Sequence, residues 1–181
     1  MADLRAVAAL PSTGTGSGDC AALAEVIMAE IARTCAHPDG YWQRAPDDDR
    51  PDAALLLPPV RGAVPAADPR TAGTLRVVRD QLAREGYVYR FRRDQRLLGD
   101  TEGAFLLCGF TMALAEHQQG RALAAIRYFE RNRAACGPPG LLSEEYDVTQ
   151  RQLRGTLPQA FVHALLLECA ATLTGPRADT G

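Results

Sequence analysis

Apolar residues return at helical spacing in one stretch after another, and the stretches differ in how much of the helix surface they cover. Leu23, Val26, Ile27 and Ile31 follow Asp19 at three- and four-residue steps, which predicts an amphipathic helix over residues 19–35 with Asp19 as N-cap. Asp52 precedes a short apolar helix over residues 53–57 that Pro58-Pro59 halts. Asp68-Pro69 reads as N-cap and first turn of a helix over residues 69–84, with Ala72, Leu75, Val78 and Leu82 as its stripe and Gly86 just past its end. Residues 102–114 are apolar on nearly every side, so this helix must be buried all round, with Glu102 at its N-terminus serving the helix dipole or a cap. Residues 121–135 set Leu123, Ile126 and Phe129 on one stripe and Arg121, Arg127, Glu130 and Arg131 on another, the pattern of an outer helix. Residues 158–173 are again mostly apolar, with Gln159 and His163 near the start. Residues 87–94 alternate, but are too isolated to imply a sheet. The expectation is an all-α fold in which inner and outer helices alternate, as in an α/α toroid; a plain helical bundle competes with it.

The glycine- and serine-rich run ending at Gly18 marks residues 1–18 as a disordered leader, leaving a helical domain over residues 19–174 and a disordered tail over residues 175–181. Composition excludes several function classes. The formal net charge of −2 makes no electrostatic case for nucleic acid or an anionic membrane. All twenty basic residues are arginine. Five cysteines without a C-x-x-C pair suggest reduced thiols, a cytoplasmic protein, no metal and no cofactor. The apolar run over residues 160–173 is interrupted by His163 and Glu168 and is too short to span a bilayer.

The chemistry gathers in Gly140-Leu-Leu-Ser-Glu-Glu-Tyr-Asp147, a loop between helices that follows a Gly-Pro-Pro-Gly turn. Adjacent carboxylates raise each other's pKa, so the pair is either a solvated acidic turn or a general base at the mouth of a sugar pocket. Trp42, the one tryptophan, is either a lid over helix ends or a stacking surface for a sugar ring.

Five stretches, in order, carry a resemblance: Asp52-Ala-Ala-Leu-Leu-Leu-Pro, Val88-Tyr-Arg-Phe, Glu102-Gly-Ala-Phe-Leu-Leu-Cys, Leu141-Leu-Ser-Glu-Glu-Tyr-Asp and Leu157-Pro-Gln-Ala-Phe-Val-His. Over residues 21–173 the chain resembles the C-terminal part of the catalytic barrel of glycoside hydrolase family 15, the glucoamylases, glucodextranases and bacterial trehalases. The resemblance implies a partial (α/α)6 toroid with about half the helices of the family barrel. It implies inverting hydrolysis of α-linked glucosides, with Glu144 as general base, Arg90 hydrogen-bonding the sugar, and Asp52 lining the barrel mouth. Glu102, Glu145 and Tyr146 join the substrate-binding candidates, Glu145 and Asp147 as orienting groups. The family's general acid lies in a Trp-Glu motif, whereas Trp42 is followed by Gln43. The expectation is therefore a truncated or split form lacking that acid, with a partner chain or a homodimer completing the barrel. Glu102, Asp94 and Glu116 are the substitutes for the acid, and a non-catalytic remnant binding carbohydrate or protein is the alternative.

Overall fold

In the computed structural model, residues 16–92, 97, 99, 100 and 102–175 are described; residues 176–181 of the expected tail, residues 1–15 of the expected leader (1–18), and Asp94 lie outside them. Residues 16–18 are already helical, so Asp19 stands in the first turn of the first helix and is not its N-cap. In chain order the elements are α1 (Gly16–Thr34), a 3₁₀ turn (Ala53–Leu56), α2 (Leu57–Val60), α3 (Pro69–Leu82), β1 (Ala83–Arg84), β2 (Tyr87–Val88), β3 (Ala104–Phe105), α4 (Leu106–Gln118), α5 (Ala122–Arg133), β4 (Glu145–Asp147), β5 (Gln152–Arg154) and α6 (Ala160–Thr174). Helices dominate, and the strands are two or three residues long.

The stretch that is apolar on every side forms the central helix. Leu106 and every residue from Cys108 to Glu116 in α4 are buried, which requires neighbours all round. On one side Leu106, Phe110, Ala113 and Leu114 pack with Tyr87, Leu142 and the α6 residues Val162, Leu165 and Cys169. On the other, Cys108, Met112 and Ala115 meet Leu75, Val78 and Leu82 of α3 and Ala53 and Leu56 of the 3₁₀ turn. Asp52 caps that turn, its Oδ1 accepting from Ala54 N–H at 2.9 Å.

Several elements depart from the pattern in the sequence. Pro58 and Pro59 do not halt a helix; they occupy the first turn of α2, where a missing N–H costs nothing. α3 stops at Leu82, and Gly86 is not its terminator. Instead Glu85 (φ 54°) and Gly86 (φ 82°) form the two-residue turn of a β1–β2 hairpin, in which Arg84 pairs with Tyr87. Tyr87 and Val88, the first two residues of the alternating stretch, are thus half of a small sheet. Residues 104 and 105 are strand rather than helix, pairing with Tyr146 and Glu145 in the order β3-β4-β5. Glu102 therefore stands outside α4, which begins four residues later, and the expected dipole or cap role does not hold.

Of the stripe expected on α5, Phe129 packs on the core with its ring 6.0 Å from that of Phe110, and the other two residues do not. Leu123 and Ile126 are 65% and 48% exposed, while Ala125 and Asn132 are buried. The cause is Gly109 on α4: a Cβ there would lie 2.0 Å from Asn132 Oδ1, so the helices approach too closely for a leucine stripe. On α1, Leu23 and Val26 are likewise exposed, and Ala24 is its buried residue. Trp42 is buried, its backbone N–H donating to Thr74 Oγ1 at 2.9 Å and its ring lying under the guanidinium of Arg70. The ring borders a small cavity with Met28, Ile31 and Cys35. That is packing over helix ends.

Candidate active site

Two short segments and two helix ends meet around one cavity of about 370 Å³. Its wall includes Ala53 and Leu57 from the 3₁₀ turn and α2, Arg90 after β2, Leu107 and Thr111 of α4, Glu144, and Gln159 with Phe161 at the start of α6. Arg90 is brought in by its own backbone, its C=O accepting from Ala53 N–H at 2.8 Å. Asp52 is the buried carboxylate behind it: Oδ1 lies 3.7 Å from Arg90 Nε and Oδ2 lies 3.6 Å from Arg44 Nε. Arg44, which the sequence reading did not single out, also sits over the Phe91 ring at 4.5 Å. No spacing rule links residue 44 to residue 90, so only the fold reveals it.

Glu144 is held by its main chain and left open at its side chain. Its N–H donates to Thr156 C=O at 3.0 Å, and its C=O accepts from Leu106 N–H, the first residue of α4, at 3.1 Å. Among the described residues the carboxylate has no hydrogen-bond or ion-pair partner. It passes over Gly155 (φ 74°), where a Cβ would lie 3.1 Å from Glu144 Oε2. Gly155 thus supplies both the left-handed turn and the room for the carboxylate.

Successive side chains of an extended segment point opposite ways, and the two adjacent glutamates divide accordingly. Glu145 Oε2 accepts from Gly103 N–H at 2.7 Å, fastening β4 to the segment before β3. Tyr146 stacks on Tyr87 with ring centroids 4.7 Å apart. Burial, followed by the neighbouring Tyr146, pushes the Tyr87 hydroxyl up to about 12. Asp147 Oδ1 accepts from the N–H groups of Thr149 and Gln150, shaping the β4–β5 turn. Glu102, Glu145 and Tyr146 are not in the cavity wall, whereas Arg90 and Glu144 are. Glu116 is fully buried, with one oxygen 3.2 Å from Arg79 Nη1 and the other bound to Arg121 Nε.

From the cavity a groove of about 700 Å³ continues between α2 and α6, sharing Ala54, Leu57, Leu107 and Phe161 with it. Arg61 and Glu168 close it as a two-pronged ion pair. Phe161 and Leu167 on α6 are 73% and 69% exposed. Among the described residues no group of three or more His, Cys, Asp or Glu side chains could hold a metal ion, the cysteines are free thiols, and no helix is long and apolar enough to cross a membrane.

The sequence model of the family described as Glycosyl hydrolases family 15 matches residues 2–171. The chain belongs to that family. A trehalase of Mycolicibacterium smegmatis is 33% identical over 149 residues, which are 81% of this chain and 22% of the trehalase. A trehalase of Thermoplasma acidophilum is 36% identical over 123 residues, 67% of this chain and 21% of that protein. A solved wild-type glycosidase superposes with a TM-score of 0.83 at 21% identity, over 94% of this chain and 48% of that one. A further solved glycosidase, in complex with glucose, gives the same TM-score at 20% identity. The chain thus spans about a fifth of the length of the trehalases and about half of the solved glycosidases. The fold is an all-α partial toroid of this family type.

Within the glycoside hydrolase family 15 segment, sequence spacing alone did not bring Gln159 and Thr111 forward as site residues. Gln159 lies at a helix start where a polar residue reads as solvated, and Thr111 in a helix that reads as wholly core. The signal available was that Thr111 is the lone polar residue between Leu106 and Ala115, whereas the missing side-chain cap bond of Gln159 is visible only in the fold.

Proposed function

We propose that this chain supplies the general-base half of an inverting glycoside hydrolase acting on α-linked glucosides, with Glu144 as the base. The observation that carries the proposal is that an unpartnered Glu144 carboxylate and the Arg90 guanidinium border one cavity. A base must be within hydrogen-bond reach of the water it deprotonates, and a carboxylate already spent on a backbone N–H, as in Glu145, serves that purpose poorly. In the proposed reaction a water loses its proton to Glu144 while its oxygen bonds to the anomeric carbon. The glycosidic C–O bond breaks, and its oxygen takes a proton from an acid on the opposite face, the two carboxyls standing roughly 6.5–9.5 Å apart. Arg90, held from behind by Asp52, binds sugar hydroxyls beside the reacting carbon.

Glu116 is a poor acid because both its oxygens face arginines. We assign the acid to the part of the ring outside these residues. Phe161, exposed where the cavity and the groove meet, marks the surface we assign to that part, since burying such a side chain contributes about 1.5–3 kcal/mol. The relatives named trehalases make an α-linked glucose disaccharide the first substrate to try.

The test is to assemble this chain with the remainder of a family ring and follow the anomer released from an α-glucoside. β-Glucose release that Glu144→Gln lowers by at least about 10²-fold supports the assignment. Undiminished turnover by the Glu144→Gln assembly overturns it. No turnover by an assembled ring favours the second reading, a non-catalytic binding module that uses the same surface around Phe161.

A further inference from the structure

Two hydrogen bonds tie the start of α6 to the segment that leads into Glu144, and a third, within the helix start, joins their ends. Gln159 N–H donates to Leu142 C=O at 3.0 Å. Leu142 N–H donates to His163 Nε2 at 3.2 Å. His163 Nδ1 lies 2.8 Å from Gln159 C=O. A backbone N–H can only donate, so Nε2 is the bare nitrogen, the ring is neutral, and Nδ1–H donates to Gln159. The loop closes on itself. It holds residue 159 and residue 142, two before Glu144, in a fixed relation.

The side chain of Gln159 is the odd member of this arrangement. It occupies the N-cap position of α6 without capping it, a place where Ser, Thr, Asp or Asn would stabilise the helix. It lines the same cavity as Glu144 and Arg90. Among the described residues its carboxamide has no partner, whereas the amides of Gln43, Gln118 and Gln119 each donate to a backbone carbonyl. Its neighbours on that wall are apolar: Phe161, Val162, Leu107 and Phe105. The carboxamide atoms are open to solvent at the cavity rather than spent on the protein, so a ligand can take them in exchange for water. A carboxamide offers a donor and an acceptor side by side, which matches hydroxyl groups on neighbouring sugar carbons.

We infer that Gln159 is a substrate-binding residue of this site, its carboxamide donating to one sugar hydroxyl and accepting from the next, with His163 as the positioning residue that fixes it relative to Glu144. The inference rests on the carbohydrate reading of the cavity given above. It adds a polar contact on the α6 wall, across from Arg90 on the β2 side. A site built to hydrogen-bond a hydroxyl discriminates strongly against the analogue that lacks it, so Gln159 is a specificity determinant for sugars with adjacent hydroxyls intact.

The test is a glucose titration of the full chain followed by ¹⁵N-resolved NMR, with the Gln159 side-chain amide assigned from its disappearance in Gln159→Leu. The expected result is movement of both the Gln159 side-chain pair and the Glu144 backbone amide. Gln159→Leu should weaken glucose binding about tenfold, and Gln159→Leu should bind glucose and its single deoxy analogues nearly alike. His163→Phe, which keeps the ring volume and removes both nitrogens, should weaken binding as well and unprotect the Leu142 amide in hydrogen exchange. Glucose that moves Glu144 but leaves the Gln159 pair still, with Gln159→Leu binding as well as the parent chain, overturns this inference and spares the carbohydrate reading. Glucose that moves neither overturns both.

Discussion

Asp52 Oδ1 stands 3.7 Å from Arg90 Nε while accepting a hydrogen bond from Ala54 N–H at 2.9 Å, so one carboxylate both caps the 3₁₀ turn and backs the arginine at the cavity. The two jobs separate by mutation. Asp52→Asn keeps an acceptor for Ala54 and loses the charge that faces both the half-exposed Arg90 and the less exposed Arg44, so it should lower stability, chiefly through Arg44. Asp52→Ala loses the cap too, for a further cost of about 1 kcal/mol. Urea denaturation of the three proteins should order them parent, Asn, Ala, with sugar affinity reduced in both variants. Equal stability losses in the two variants would mean that the cap contributes nothing.

A second prediction concerns Glu116. Its side chain is fully buried, whereas those of Arg79 and Arg121 are 35% and 40% exposed. Deleting the carboxylate leaves guanidiniums that can turn to water. Deleting both arginines leaves a charge inside α4 with nothing to meet it, a situation that costs about 3–5 kcal/mol. The double variant Arg79→Ala/Arg121→Ala should therefore be less stable in urea than Glu116→Gln. The opposite order would show that the arginines hold the helices by packing their stems and that the charges are incidental.

What the sequence revealed and what it hid divide at the contacts between elements: patterns longer than a helical turn showed where the helices lie, and not which face each turns inward, as α1 and α5 show. α4 could be read because nearly all of its positions are apolar, and no other arrangement satisfies such a helix. The hairpin at Glu85-Gly86 could not, since a left-handed glycine after a helix serves a C-terminal cap and a tight turn equally well. Strands of two or three residues are too short to show a period. Of the site, the motif order placed Arg90 and Glu144 on the candidate roll. Nothing local told which way the Glu144-Glu145 pair alternates, because that depends on Gly103 and Gly155 on either side. Gln159 and Arg44 escaped because their meaning lies in what is absent beside one and stacked beneath the other.

The hidden face of α5 gives a third prediction. Gly109 sits where a Cβ would be 2.0 Å from Asn132 Oδ1, and Asn132 cannot swing away freely because its Nδ2 donates to Tyr128 C=O at 2.8 Å. Alanine in place of glycine inside a helix gains up to about 1 kcal/mol in propensity. Overpacking at a closed interface costs about 1–3 kcal/mol, so the net change in Gly109→Ala is a loss. Trimming the partner should recover it: the double variant Gly109→Ala/Asn132→Ala should melt above Gly109→Ala. A double variant that melts lower would show that the Asn132 hydrogen bonds outweigh the clash.

The fourth prediction is a loss of stability in alkali, and its sign follows from burial. Desolvation raises the thiols of Cys108 and Cys169 from 9.0 to about 12, with the nearby carboxylates of Asp52 and Glu168 adding to the effect. Desolvation likewise raises the Tyr87 hydroxyl from 10.0 to about 12. Between the unfolded and folded values the unfolded chain has released these protons and the native chain still holds them, so the unfolded state binds fewer protons and stability falls as pH rises. The contribution is intact below about pH 9 and is lost progressively toward pH 12. Denaturation midpoints measured across that window should decline more steeply for the parent than for Cys108→Ala/Cys169→Ala, although the variant starts lower because it has lost buried volume. Parallel slopes would show that the two thiols ionise no later in the native chain than in the unfolded one. Alkylation gives an independent check at a single pH: exposed Cys136 should react in the native protein, and Cys108 and Cys169 only after denaturant is added.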